Sequence, residues 1–390
     1  MELIGENPTK QYLSDLISML SASFGYTPPD QISRDFPLLY DEKNIKHLWI
    51  AHESTPGAPR KIASHAGSLL LKLHAEQMEL SVGGIGGVAS LPEFRGQGLA
   101  SKLVERCVED LRQQGAALAF LWSDQHDFYR NLGFELVGRQ WMVVLPKEKV
   151  ALLREEAERL RLEHRQNSNK FSFSTNASIA AQAGKSLYDL HSLRIERSAV
   201  DFAKLISSKG AKVFTAELNG KLEAYFIVGK GIDLKNHVHE WAGSEEAMLS
   251  LLAFALDTIG NDLTFLSPQF TSEEAPILYR LEKMGFAATP GFMALTRILD
   301  FAKVKNFVLG KMRNLAMEPS LIRFEKTGSD EYCIGWTTDP DLYMNGRELS
   351  RFVFGPDLPS SLVPVLPDNS RVAFDALFPC RLWWWGMDSI

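Results

Sequence analysis

Cysteine is scarce in this chain of 390 residues, with only Cys107, Cys333 and Cys380. The three have no metal-ligand spacing and cannot all pair, which excludes a zinc site and a disulfide framework and points to a reducing compartment. An excess of positive charge is also missing. With 42 lysines and arginines against 48 aspartates and glutamates, the net charge is −6, so the basic footprint that nucleic acid requires is absent and cationic partners are favoured. No stretch approaches the ~18 apolar residues of a membrane span, and residues 1–10 lack a charged start followed by an apolar run. The expectation is a cytoplasmic protein with neither a membrane nor a nucleic-acid partner. The dinucleotide fingerprint G-x-G-x-x-G is absent too, which removes a Rossmann reading. What remains is ordinary globular composition, 45% hydrophobic and 23% charged, at a length that suits more than one domain.

The most informative stretch is residues 82–100, VGGIGGVASLPEFRGQGLA. Glycines and a short apolar run lead into Arg95-Gly96-Gln97-Gly98, ahead of an amphipathic segment at residues 101–112. Such a strand, tight loop and helix make an anion site, because the first N–H groups of a helix lack carbonyl partners and glycines let the backbone approach a phosphate closely. Arg95 adds a cation at the mouth. A lone glycine turn is more often a plain helix entry, so the reading depends on what accompanies it.

RGQGLA after an apolar strand resembles the acetyl-coenzyme A loop of the GNAT superfamily of N-acetyltransferases. Downstream, His126-Asp127-Phe128-Tyr129-Arg130-Asn131-Leu132-Gly133-Phe134 resembles the F-Y-x-x-x-G-F signature of that superfamily. The resemblance implies acetyl-CoA as co-substrate and a primary-amine acceptor: a small polyamine, an aminoglycoside-like molecule or a lysine side chain. It implies backbone hydrogen bonds from Val88, Ala89 and Leu91 to the pantetheine arm, and a pyrophosphate held by Arg95, Gly96, Gln97, Gly98, Leu99 and Ala100. Tyr129 becomes the general acid that returns a proton to the thiolate; its alternative is to pack on the pantetheine. For the base, the resemblance implies the terminal carboxylate of Ile390, and burial tends to raise a carboxylate's pKa, which suits that work. Glu79 is the runner-up base, acting through water, with a solvated strand-edge charge as its plain reading. Asp124 and His126 read more simply as surface residues. No metal is implied, since proton transfer and backbone donors to an oxyanion suffice. Trp49, Phe24 and Phe36 lie where such enzymes wall the acceptor groove, although aromatics of this kind are more often core.

In chain order, the pattern predicts a helix over 11–24 ended by Gly25 and Pro28-Pro29, then strands over 47–52 and 62–73 with a turn at 55–59. A strand into the glycine loop, its helix closed by Gly115, a strand over 116–122, a short helix over 128–132 and strands over 134–145 complete an α/β domain. Residues 147–164 read as a connecting helix and 166–178 as polar linker. An echo follows. Leu278-Tyr279-Arg280 with Met284-Gly285-Phe286 repeats Phe128-Tyr129-Arg130 with Leu132-Gly133-Phe134, the tyrosines 150 positions apart. Upstream of it, 212–217, 221–228 and 238–241 read as strands and 248–257 as a helix. Where the first copy has its glycine loop the second has AGSEEAM, whose Glu245 and Glu246 would repel phosphate. From residue 301 the pattern changes to a helix over 302–315, strands over 320–325 and 332–337, and a proline-rich passage over 356–367.

The expected architecture is therefore α/β (α+β): two tandem GNAT-type domains with a smaller C-terminal α+β domain. The boundaries are 1–146 for the acetyl-CoA-binding catalytic domain, 147–178 for a helical linker, 179–300 for the degenerate copy and 301–390 for the small domain. This arrangement is similar to that of the enhanced-intracellular-survival acetyltransferases, whose third domain is sterol-carrier-like. The end of the chain, LWWWGMDSI, resembles their apolar tail and is expected to be buried, because exposed tryptophans forfeit burial. Two function classes stay open: an acetyl-CoA-dependent N-acetyltransferase, and a non-catalytic acyl-CoA sensor or scaffold. N-Myristoyltransferases also pair GNAT-type domains, but nothing here marks a tunnel for a long acyl chain.

Overall fold

The computed structural model describes residues 3–27, 32–53, 61–163, 170–175, 177–232, 234–268 and 275–390. The turn expected at 55–59 and the Pro28-Pro29 stop lie outside them. Contacts divide the chain into two units: residues 1–139 with 292–383 and 389–390, and residues 140–291 with 384–388. Among the described residues, no helix is long and apolar enough to cross a membrane.

The first unit begins with β1 (Leu3–Glu6), α1 (Lys10–Ser23), the single turn α2 (Ile32–Asp35), β2 (Leu48–Glu53), β3 (Lys61–Ala75) and β4 (Met78–Ser90). In α1, Leu16 and Leu20 fall one turn apart and are fully buried, so tertiary packing of an apolar stripe sustains the helix. The β3–β4 hairpin turns at Glu76 and Gln77, with φ of 51° and 63°, the left-handed pair that matches the twist of two-residue hairpins. Next comes α3 (Leu99–Gln113), which buries Leu99, Leu103, Val104, Cys107, Val108 and Leu111 on one face. Gly115, with φ of 82°, lets the chain leave it. Then follow β5 (Leu118–Leu121), buried throughout, α4 (His126–Arg130) and β6 (Glu135–Leu145). Strands β1 to β4 pair antiparallel in sequence order, and β5 then joins β4 in parallel.

The chain enters the second unit within β6, whose residues 140–145 pair antiparallel with a strand there. This unit contains α5 (Val150–Glu163), β7 (Ser172–Ser174), α6 (Ala177–Tyr188), β8 (Arg194–Ile195), α7 (Ala199–Ile206), β9 (Lys212–Leu218), β10 (Lys221–Val228), β11 (His237–Gly243), α8 (Glu245–Ile259), β12 (Leu263–Pro268) and α9 (Pro276–Lys283). Its strands run in the order β6-β12-β11-β10-β9-β7, antiparallel except for β11 with β12. Part of the stretch read as polar linker is structured. Residues 172–174 pair with β9, and Phe173 stacks on Phe254 at 5.2 Å, so the aromatic pair Phe171 and Phe173 outweighs its polar neighbours.

With β13 (Ala288–Ile298) the chain returns to the first unit, where residues 295–298 pair antiparallel with β5. Then come α10 (Phe301–Asn314), the sheet of β14 (Ile322–Lys326), β15 (Tyr332–Trp336) and β16 (Leu342–Met344), and the helices α11 (Gly346–Phe354), α12 (Pro359–Leu362) and α13 (Asp368–Leu377). Residues 292–383 group with the first unit rather than standing apart. Three contacts show how: Asn314 donates to the Glu76 carbonyl at 2.8 Å, Lys311 meets the Glu76 carboxylate at 3.0 Å, and Arg347 meets Glu135 at 2.9 Å. Trp383, Trp384 and Trp385 are buried, at 1%, 1% and 0% exposure, as the tail's composition demands.

Candidate active site

Strand β4 carries the site because one of its edges is only partly used. Towards β5 its ladder joins residues 82–84 to residues 118–120, whereas β4 itself runs on to Ser90. Towards β3 the pairing continues, with Ser64 opposite Ser90 and His65 opposite Ala89. The register slips between His65 and Gly67, and Gly87, with φ of 63°, takes up the extra residue as a bulge. From there to Leu91 the edge towards β5 offers backbone donors and acceptors to an extended ligand arm. The predicted pantetheine contacts Val88, Ala89 and Leu91 all lie on this half-buried stretch.

Beyond it, Gly96 and Gly98 adopt φ of 76° and 71°. Gly98 is the N-cap of α3 and has no side chain to bond the first-turn N–H groups. A Cβ on either glycine would meet nothing within 4 Å. Packing therefore does not explain these glycines, whereas the left-handed turn that points N–H groups outward does. Arg95, Gly96, Gln97 and Gly98 are exposed, Leu99 anchors the helix in the core, and Arg95 Nε donates to the Ser90 carbonyl at 3.3 Å. An exposed, uncapped helix terminus beside an arginine fits a pyrophosphate.

Tyr129 on α4 is 6% exposed, packed edge-on against Phe128 at 4.8 Å and Phe134 at 6.0 Å. Burial, with a further contribution from Cys107, pushes its hydroxyl up to about 12, so it holds its proton at neutral pH. Ile390 lies against β4. A Cβ on Gly84 would run into the Ile390 side chain, and one on Gly86 into its carboxyl carbon and oxygen. The two glycines thus make room for the end of the chain.

Glu79 is placed differently. It lies beside the hairpin turn, half exposed, 3.4 Å from Lys72. At about 3.3 Å per residue, the eight steps to Gly87 carry it some ~26 Å from the bulge. Asp124 is exposed and His126 half-buried. Trp49 packs partly buried against the α3 cluster, while Phe24 and Phe36 pack against the cluster of α1. Sequence reasoning missed Tyr40 and His65. A Cβ on Gly87 would meet the Tyr40 hydroxyl, and His65 Cε1 at 3.0 Å. His65 Nδ1 lies 2.7 Å from the Gly87 carbonyl; a carbonyl only accepts, so Nδ1 carries the proton. Burial pushes His65 down to about 4, against the opposing pull of that bond.

The turn that enters α8, in the second unit, is built otherwise. Ser244 precedes α8, and its first-turn Glu245 bonds Arg280 at 2.5 and 3.0 Å, while Glu246 is buried. Glu245 and Glu246 thus put two carboxylates in the first turn of α8, where they disfavour an anion.

Comparison with known proteins gives a consistent picture. Residues 6–137 match the acetyltransferase (GNAT) domain family. Among solved structures, a GCN5-related N-acetyltransferase from Kribbella flavida is similar over 100% of both chains, with a TM-score of 0.65 at 14% identity. Another from Anabaena variabilis is similar over 100% of both chains, with a TM-score of 0.64 at 13% identity. Eis1 from Mycobacterium abscessus is similar over 99% of this chain and 100% of its own, with a TM-score of 0.62 at 12% identity. At such identities the likeness is one of fold. No curated protein matches the chain.

Proposed function

We propose that this chain, whose residues 6–137 match the acetyltransferase (GNAT) domain family, is an acyltransferase that uses an acyl-CoA and transfers an acetyl group from acetyl-CoA to a primary amine. The acceptor is a small polyamine, an aminoglycoside-like molecule or a lysine side chain. The observation that carries this reading is the seat of the Ile390 carboxyl against Gly86, on the strand whose free edge and glycine loop suit coenzyme A.

In this scheme Arg95 and the backbone from Gly96 to Ala100 hold the pyrophosphate, and the edge at Val88, Ala89 and Leu91 holds the pantetheine. The Ile390 carboxylate accepts a proton from the ammonium, and the freed amine attacks the thioester carbonyl. Backbone N–H groups at the bulge bond the developing oxyanion, the C–S bond breaks as Tyr129 gives its proton to the sulfur, and the second proton that the nitrogen sheds on becoming an amide returns through water to the Tyr129 phenolate. The distance of Glu79 from the bulge favours Ile390 as base. The three cysteines are buried and unpaired, which supports a reducing, cytoplasmic setting.

We read the chain as a tandem, because β11-α8-β12-α9-β13 repeats the order β4-α3-β5-α4-β6, each with a parallel pair after its first helix. The second copy is the degenerate one, and the helices and three-stranded sheet after β13 form the sterol-carrier-like part. The test is release of free coenzyme A thiol from acetyl-CoA in the presence of a polyamine, an aminoglycoside or a lysine peptide. Acetyl-CoA binding without release for any of them would leave the sensor reading standing and overturn the enzyme.

A further inference from the structure

Tyr40 and His65 have no part in that scheme, yet both abut the bulge beside the proposed base. Tyr40 is buried with Leu39 and Leu48 in the cluster against which Ile390 packs. Leu39 Cδ2 would lie 3.3 Å from a Cβ on Gly86, the position that meets the Ile390 carboxyl; the Tyr40 hydroxyl and the His65 ring meet the next residue, Gly87. These groups share one side of β4.

Two of their atoms are buried without a hydrogen-bond partner among the described residues: Tyr40 Oη and His65 Nε2. Each unmade bond costs about 1–3 kcal/mol, so two at adjacent positions call for an explanation outside stability. His65 Nδ1 is committed to the Gly87 carbonyl at 2.7 Å, which leaves Nε2 as a bare lone pair. Tyr40 Oη also carries lone pairs. With the Ile390 carboxyl against Gly86, and the Tyr40 hydroxyl and the His65 ring against Gly87, three groups that carry a free acceptor meet two successive residues of one strand, and a primary ammonium has three N–H donors.

We propose that Tyr40 Oη and His65 Nε2 bind the ammonium of the acceptor beside the Ile390 carboxylate, one N–H to each, and so select primary over secondary amines. This rests on the terminal-carboxylate reading above. The division of labour is chemical. Tyr40 and His65 are neutral, so they orient the nitrogen without adding negative charge that would hold its proton, and only the carboxylate takes that proton. A secondary ammonium has a carbon in place of one N–H, which leaves a buried acceptor unpaired, the kind of mismatch a polar site rejects strongly.

The test compares n-butylammonium with N-methylbutylammonium as ligands of the coenzyme A-bound protein, by calorimetry, for the wild type, Tyr40→Phe and His65→Asn. Asn keeps a donor for the Gly87 carbonyl and removes the Nε2 acceptor. The wild type should prefer the primary amine about tenfold or more, and each variant should lose about tenfold in affinity for it and most of the preference. Coenzyme A affinity should not change. Melting temperature should be unchanged or higher in Tyr40→Phe, whose hydroxyl has no partner to lose, whereas a purely structural tyrosine would lower it. A wild type that binds neither amine, or both equally, overturns the proposal, as does a Tyr40→Phe chain with unchanged affinity. Deleting Ile390 separates the two readings: full turnover without it sinks the carboxylate base and leaves the Tyr40 result to be judged alone.

Discussion

His65 donates from Nδ1 to the Gly87 carbonyl at 2.7 Å, and burial holds its pKa at about 4. Its folded pKa lies below the unfolded value of about 6.5, so the unfolded chain binds more protons between those pH values and stability falls as pH drops through that window. His191, at about 4, and His239, at about 3, are lowered by burial in the same direction. The protein should lose stability on acidification from pH ~6.5 towards 4, each histidine contributing a slope of up to about 1.4 kcal/mol per pH unit. Urea denaturation across that range checks it. The His65→Asn chain should show a slope shallower by about one proton, and an unchanged slope would mean that His65 titrates normally.

Binding stoichiometry tests the asymmetry between the two strand-to-helix turns. Gly98 opens α3 with φ of 71° and bare N–H groups, whereas Glu245 and Arg280 occupy the start of α8. Calorimetry should find one acetyl-CoA per chain, and two would refute the degenerate copy. Gly98→Val should abolish that binding while the fold survives. A Cβ there meets no neighbour within 4 Å, so the cost to the fold is local strain of about 1–2 kcal/mol in a left-handed conformation.

Tyr129→Phe preserves the edge-on contacts with Phe128 and Phe134 and removes only the proton. If the hydroxyl protonates the leaving thiolate, kcat should fall by about 10² or more with acetyl-CoA affinity unchanged. Equal turnover would reduce Tyr129 to packing.

The glycine loop and the tyrosine helix are legible in the sequence because their chemistry is local. A left-handed turn asks for glycine at two fixed places, and Gly96 and Gly98 supply it. Strand β7 is harder to read, since Phe171 and Phe173 sit among serines and lysine. Tyr40 and His65 are beyond local pattern altogether. Only the slipped register between β3 and β4, together with the bulge at Gly87, brings a side chain from before β2 and one from β3 to the same residue. Nor does any local signal say that residues 140–145 pair with β12 while residues 295–298 pair with β5, because strand partnership is a long-range choice.

The tail offers the most demanding test, since Ile390 is the last of nine residues that are otherwise held by burial and charge. Within the second unit, Arg197 donates from Nε to Asp388 at 2.8 Å and bidentately to Glu240 at 2.9 and 2.7 Å, while Lys230 donates to the carbonyls of Gly386 and Met387 at 3.1 Å each. Breaking one partner of such a buried pair costs about 3–5 kcal/mol, so the residues before Ser389 are anchored. Deleting Ile390 moves the terminal carboxylate back by one residue, about 3.5 Å of extended chain, enough to lose a proton-transfer contact of about 3 Å. Turnover should disappear while melting temperature and acetyl-CoA affinity hold. A tag after Ile390 should also abolish turnover, by converting the carboxylate to an amide, and the same tag before Met1 should be harmless. A C-terminally tagged chain that turns over at the untagged rate would eliminate the terminal carboxylate as base and return the role to a side chain.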